Sequence, residues 1–475
     1  MTIVCIINSC TKDVGKISYA ETAFPNEIGE IIIKKCATSG CHNDISKEAA
    51  AGLSLTSWNR MFEGSNGGAI VIPYRPDLST LIYYINSYSE YGTIQLVPKM
   101  PFGGSALTNS EVKTIYDWVS NGAPNASGLV KFSDNPNRKK FYVSNQGCDI
   151  VTTFDANSML AMRATNVGKN SIAIEAPHFV RVSPDNKYWY VSFLAAGALQ
   201  KYRVSDNSFV AEANIGFGSW NTFAISTDGK HIYAIDWSSS GKIKKIQTDS
   251  MIVKATLGGL TWPHGSALNS TNDTLYVTSQ ISNYILKLPT DFSSYEQIVM
   301  DNSSIPSNSP ILNPHEVMMS PDYSKYFVTC EKSNQIKVLS RSTDQVLATI
   351  PVGDVPQEMA ISKSKNYLFV SCMEDVTTYG NSKRGSVYVI DIITYAVVGH
   401  VYTGHQPHGV MVDEQNKRVY VTNRNVISGG PAPHHASLCT GRNGYVTVID
   451  LNTLKLIPSL KAEVSVDPYG YSIMH

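Results

Sequence analysis

The segment Pro407-His408-Gly409-Val410-Met411-Val412-Asp413, followed after a four-residue polar turn by Arg418-Val419-Tyr420-Val421-Thr422-Asn423, decides the fold. It reads as two short strands joined by a hairpin, and the same pair recurs along the chain. Equivalent starts lie at Pro177-His178, Trp220-Asn221, Pro263-His264, Pro314-His315 and Pro356-Gln357. Six residues after each start comes Ser183, Ser226, Asn269, Ser320, Ser362 or Asp413, opening a turn. Thirteen residues after each start comes an aromatic: Tyr190, Tyr233, Tyr276, Phe327, Phe369 or Tyr420. A third strand follows, as in Ile336–Leu339 or Val446–Asp450, and a fourth ends near Gly216, Gly258, Gly353 or Gly404. Four short strands in about 43 residues is the period of a β-propeller blade.

Six units are complete and two are partial. Phe141 to Gly168 lacks an inner strand, and Asp467 to His475 supplies only an inner strand. Joined, the two make a seventh blade and close the ring, which removes the edges that an open array would expose. The Tyr-Val-Thr-Asn signature of 420–423 resembles the YVTN family of seven-bladed propellers. That resemblance implies the fold over residues 135–475 and says little about activity, because propellers host many functions.

Upstream, Cys36-Ala37-Thr38-Ser39-Gly40-Cys41-His42 sets a histidine directly after the second of two cysteines. This is the pattern of a covalently attached c-type haem, here with four residues between the thiols where two are usual. Cys36 and Cys41 would form the thioethers and His42 would ligate the iron. Met100, in the loop Val97-Pro98-Lys99-Met100-Pro101-Phe102-Gly103-Gly104, is the expected second ligand, and thioether ligation raises the potential of such centres. Helices are predicted over Pro25–Lys35 and Asp77–Ile85, and from the capping box Thr108-x-x-Glu111 to Asn121, with Gly122 closing the last. The alternative is a zinc site or disulfide at Cys36/Cys41 with Met100 as core filling.

Residues 27–123 resemble the cytochrome c domains of Bacteroidota and Planctomycetes. The matching pieces are Cys41-His42, Ala51-Gly52-Leu53-Ser54-Leu55, Gly67-Gly68, Ser79-x-Leu81, Met100-Pro101 and Trp118-Val119-Ser120-Asn121-Gly122-Ala123. The resemblance implies a small all-α domain with one covalent haem c. The expected organisation is therefore multidomain. Residues 1–24 are a truncated lipoprotein signal and tether, 25–123 a cytochrome c domain, 124–134 a linker, and 135–475 an all-β seven-bladed propeller.

Net charge is zero and charged residues make up 16% of the chain, against about 25% in a typical domain. That excludes a basic nucleic-acid surface or polybasic membrane patch. No run of 18 apolar residues occurs, so the membrane enters only through lipid. Ile7-Asn8-Ser9-Cys10 resembles the end of a bacterial lipoprotein signal, with Cys10 as the lipidated residue. A c-type haem also implies a periplasmic or cell-surface location.

A second site is expected at one mouth of the propeller, where the residues following the blade starts gather. Four are histidines: His178, His264, His315 and His408. An insertion in the blade that starts at Pro407, Val426–Arg442, adds His434, His435 and Cys439. Histidine and cysteine suit copper or haem iron, and long loops on rigid scaffolds carry function. Alternatively, Pro-His is a repeat convention in which each imidazole bonds a neighbouring blade. Cys148 with Cys439, and Cys330 with Cys372, are two candidate disulfides that sequence leaves open. A lactonase-like hydrolase would need an acidic hub, for which Glu316 and Glu358 are the nearby candidates. The expected function is an extracytoplasmic haem electron-transfer protein, monomeric or weakly oligomeric. Its partner would be a redox protein or a small-molecule substrate, and the propeller would supply a docking or oxidoreductase site. The rival is a surface binding or scaffold propeller with an accessory haem domain.

Overall fold

The computed structural model describes residues 19–431, 439 and 441–475. Cys10, His434 and His435 lie outside the described residues.

The chain forms seven four-stranded antiparallel sheets arranged as a propeller. Blade 1 is composite. Its inner strand Pro468–Ile473 pairs with Lys140–Asn145 in the register Phe141↔Ile473, Tyr142↔Ser472 and Val143↔Tyr471. The ring is thus closed by the last strand, as the two partial repeats predict. The inner strands of blades 2 to 7 begin at Pro177, Trp220, Pro263, Pro314, Pro356 and Pro407.

Each signature residue has a physical task. The aromatic opening the second strand is buried between blades: Tyr190, Tyr233, Tyr276, Phe327, Phe369 and Tyr420 are all nearly inaccessible. The turn serine closes the inner hairpin. Ser183 Oγ donates to Asp185 at 2.6 Å while accepting from Tyr188 N–H at 3.0 Å, and Ser226 and Ser320 repeat the arrangement. The Thr or Ser near the end of the second strand ties one blade to the next. Thr329 Oγ1 accepts from Glu316 N–H at 2.8 Å and donates to the Gln357 carbonyl of blade 6 at 2.9 Å. Thr278 does the same between blades 4 and 5, and Ser144 between blades 1 and 2.

This relay makes a prediction. Thr329→Val keeps the shape but leaves a buried N–H and a buried C=O without partners. Each costs about 1–3 kcal/mol, so urea unfolding should show a loss of about 2 kcal/mol or more. A loss below about 0.5 kcal/mol, the range of a neutral surface change, would refute the relay.

Residues 19–134 form helices and loops. Helix α1 is Asn26–Lys35, α2 Trp58–Met61, α3 Thr80–Ile85 and α4 Asn109–Ser120. The Thr108/Glu111 capping box is formed, and Gly122 follows at φ +93°. The stretch expected as one helix from Asp77 is instead a 3-10 turn, Pro76–Leu78, and then α3. Ser79 breaks it: its backbone is extended, and its hydroxyl donates to Arg75 O at 2.7 Å while accepting Ile72 N–H at 2.9 Å. Sidechain-to-backbone bonds of this kind compete with helix continuation. Phe24, Ile32, Cys36, Leu55, Trp58, Val112 and Trp118 share one core. This region rests on the outer strands of blades 1 and 7. Arg75 donates to Ala164 O at 2.8 Å, Glu463 N–H donates to Gly67 O at 3.1 Å, and Ala69 and Ile72 pack on that blade core. Residues 124–134 are pinned as well: Trp118 Nε1 donates to Pro124 O, and Phe132 is buried with Leu160 and Met162.

Candidate functional site

The cysteine–histidine segment follows α1 directly. Cys36 N–H closes the helix on Ile32 O at 2.9 Å, and the intervening residues loop back so that His42 N–H donates to Cys36 O at 3.1 Å. The motif therefore folds into a compact knot. Both thiols are free; Cys36 is buried and Cys41 half-buried. Burial, reinforced by Cys41, pushes the Cys36 thiol up to about 12. A disulfide between the two is not formed. The His42 ring is largely enclosed, its Nδ1 has no hydrogen-bond partner, and burial pulls its pKa below the ordinary value. Met100 packs against the same core as Cys36 and Ala37, and its N–H donates to Tyr84 O at 3.0 Å. Lys99 fastens the loop through Asn86 O at 2.6 Å and Ser87 Oγ at 2.8 Å.

At the propeller mouth the histidines do converge. His264 and His315 rings lie 3.9 Å apart, His408 and Tyr469 3.6 Å, His178 and Tyr469 3.9 Å, and His315 and His408 6.2 Å. All four imidazoles are buried. Burial holds His178, His315 and His408 well below the ordinary range and His264 at about 3, so all four are neutral at pH 7. His264 Nδ1 lies 3.1 Å from His315 O, His408 Nδ1 3.2 Å from Tyr469 O, and His178 Nδ1 2.7 Å from Gln146 Oε1. A carbonyl oxygen only accepts, so in each ring Nδ1 carries the proton and Nε2 keeps its lone pair. Two of the three bonds do run to a neighbouring blade's backbone, as the repeat convention expects. Among the described residues, no group of three or more His, Cys, Asp or Glu side chains is arranged to hold a metal ion.

A second ring of side chains surrounds the first, and sequence reasoning missed it. It occupies the residue seventeen places after each blade start, including Trp237, Gln280, Glu331 and Arg424. Each backbone N–H there donates to the carbonyl of the residue just before a blade start, as from Trp237 to Ser219, Gln280 to Trp262, Glu331 to Asn313 and Arg424 to Gln406. The fixed offset was a readable signal. Glu331 accepts from Asn313 Nδ2 and Gln357 Nε2, and its Oε1 is 3.7 Å from His315 Nε2. Burial nevertheless raises its carboxyl to about 7. Arg424 pairs with Asp467 at 2.6 and 2.9 Å and lies over the Tyr469 ring at 4.8 Å.

Of the cysteine candidates, Cys148–Cys439 is a disulfide, joining the second-to-third turn of blade 1 to the blade 7 insertion. Cys330 and Cys372 are free and buried in two different inter-blade cores, so their shared repeat position does not bring them together. Glu316 and Glu358 lie below the histidines, fully enclosed.

Closed ring, blade number and polar hub define the class: a seven-bladed β-propeller with a helical N-terminal segment. No family model matches the chain. It is similar to Antigen Lp49 of Leptospira interrogans, 24% identical over 301 residues, which are 62% of this chain. The chain spans 64% of that antigen's length. Among solved structures it is similar to hydrazine synthase of Kuenenia stuttgartiensis, with TM-score 0.50 and 15% identity over 64% of this chain and 92% of that one. It is also similar to a protein of unknown function from Desulfotomaculum acetoxidans, with TM-score 0.53 and 11% identity over 71% and 99% of the two chains. At these identities the solved structures show the fold alone.

Proposed function

We propose that the chain is an extracytoplasmic c-type haem protein that transfers electrons, and that its propeller supplies the docking or redox-catalytic surface. One observation carries the reading: two free thiols and an imidazole with an unpartnered, buried Nδ1 are gathered in one knot on a shared core with Met100. A zinc site of that composition would want further thiolate or imidazole ligands, and no such group is present among the described residues. A haem held there supplies one-electron chemistry.

The chain's own residues have definable parts. Cys36 and Cys41 would attach the porphyrin through thioethers. His42 and Met100 would supply the side-chain donors to its iron. Leu53, Leu55 and Trp118, buried in the same core, would line the group and exclude water. Lys99 and the Tyr84 carbonyl hold the methionine loop in position. Cys10 would anchor the protein from its N-terminal segment. Among the described residues no helix is long and apolar enough to cross a membrane.

A second reading, a binding propeller with an accessory haem domain, is favoured by the close stacking of the mouth imidazoles, which fill the hub with protein rings. The likeness to hydrazine synthase lends either reading a fold and no residue.

The test is expression in a host that matures c-type cytochromes, followed by a pyridine haemochrome spectrum. The expected result is one covalent haem per chain, abolished in the Cys36→Ser/Cys41→Ser double variant. Met100→Ala should retain the haem and lower its reduction potential, since thioether ligation raises it. A full-length, folded chain without covalent haem would end the proposal.

A further inference from the structure

The mouth has an accessible corner that the haem reading does not use. Trp237 stands there, 36% exposed. Its ring meets Trp262 edge-on at 5.1 Å and His264 at 6.3 Å with an interplanar angle of 86°. Gln280 spans the gap to the carboxylate: its Oε1 accepts Trp237 Nε1–H at 2.6 Å and its Nε2 donates to Glu331 Oε2 at 3.4 Å. An indole face and a carboxylate are therefore held one glutamine apart.

The polar groups of this corner are rich in acceptors. His264 spends its Nδ1 proton on the His315 carbonyl and keeps a lone pair on Nε2. Glu331 takes its hydrogen bonds from neutral amides and stands opposite a neutral His315, so no full positive charge is paired with it. The one mouth cation described above, Arg424, is bonded to Asp467 on the Tyr469 side. His408 Nε2, deep in the same hub, is a buried acceptor with no partner. A native interior satisfies almost all such atoms, so each exception calls for an explanation.

We propose that this corner, formed by Trp237, Trp262, His264 and Glu331, binds an ammonium group, R–NH3+, of a small ligand. The aromatic faces attract a cation through their quadrupoles. Glu331, whose carboxyl burial raises to about 7, gives up its proton opposite the ammonium and supplies the opposite charge, and the His264 lone pair accepts an N–H. An anion finds no free cation here, and a hydroxyl lacks the charge that would draw Glu331 into its ionised form. The inference rests on the reading of the mouth as the ligand-binding end of the propeller. It is independent of whether residues 36–42 carry haem.

The test uses the full chain, with haem content read on the same sample so that failure of the haem reading and failure of this one are separable. Methylammonium chloride is titrated at constant ionic strength against a sodium chloride control, following heat and tryptophan fluorescence. Saturable methylammonium binding is expected. Trp237→Leu and Glu331→Gln should each weaken it about tenfold or more, given the size of cation–aromatic and charge-assisted contacts. Circular dichroism should show both variants folded. A Lys245→Gln variant, on the third strand of blade 3, should bind like the parent. No saturable binding, or binding unaffected by both mouth substitutions, overturns the proposal.

Discussion

A chain ending at Val466 is expected not to fold. The lost segment is short, but its inner strand Pro468–Ile473 is buried on both faces and completes blade 1. Without it, the backbone groups of Phe141–Asn145 that pair with Tyr471–Ile473 and Pro468 face the hub unpaired. Tyr469 leaves a hole between His178 and His408, and Tyr471 takes with it the hydroxyl bonded to Glu358. The Ser144 relay to blade 2 also loses its Gly470 N–H. Two buried tyrosines contribute about 2–3 kcal/mol each. Several ladder bonds add about 1 kcal/mol each. The sum approaches the 5–15 kcal/mol that holds a whole domain together. Losing it also frees the Lys140–Asn145 edge of the blade 1 sheet, which can pair with other chains. The measurement is size exclusion and a far-ultraviolet melt of the truncated chain. Aggregation, or no cooperative transition, is the expected outcome. A monomer melting within a few degrees of the parent would mean that closure contributes little.

That sensitivity to the last strand was readable without coordinates. The period of the repeat is set by turn chemistry and strand length, both local, so blade count and closure follow from fixed offsets. Ser183, Tyr190 and their equivalents do what their spacing implies. The candidate site was less legible. Sequence placed His178, His264, His315 and His408 at one mouth, and they meet there. It did not show that they stack on one another, because ring orientation depends on contacts between blades far apart in the chain. Trp237, Glu331 and Arg424 escaped notice because they differ in type, although their offset is constant. Cys330 and Cys372 share a repeat position yet point into different cores, whereas Cys148 and Cys439, 291 residues apart, are bonded. Equal offsets fix both height and local direction, so equivalent residues enter successive inter-blade cores and stay apart. Ser79 shows the same limit on a small scale, since one hydroxyl bonding backwards divides a helix that hydrophobic pattern alone would continue.

Replacing both Glu316 and Glu358 with glutamine is expected to stabilise the protein at pH 8 and to leave it unchanged near pH 4. The two carboxyls come from adjacent blades and are fully enclosed. Glu358 Oε2 accepts from Tyr471 Oη–H at 3.0 Å; Glu316 Oε1 accepts from Val317 N–H at 3.1 Å, and its Oε2 has no partner. Room for this arrangement is made by Gly409, where a Cβ would sit 2.2 Å from the Tyr471 ring. Burial raises both carboxyls, Glu358 to about 7 and Glu316 well above the ordinary value; their mutual repulsion raises Glu316 further, while Arg181 pulls both down. The sign follows from linkage. Below the unfolded value near 4.5 both groups are protonated in either state, and glutamate behaves like glutamine. As pH rises towards 7, the unfolded chain ionises freely while the folded hub holds its protons, so stability falls with pH. For Glu358 alone, the rise from 4.5 to about 7 corresponds to roughly 3 kcal/mol. Glutamine retains the acceptors that Tyr471 and Val317 use and never ionises, so the variant escapes this loss. Melting temperatures across pH 4 to 8 should show parent and variant diverging as pH increases. Parallel curves would mean that the hub charges are already neutralised at every pH. A variant less stable at pH 8 would mean that Arg181 needs the carboxylates as partners more than the hub gains by losing them.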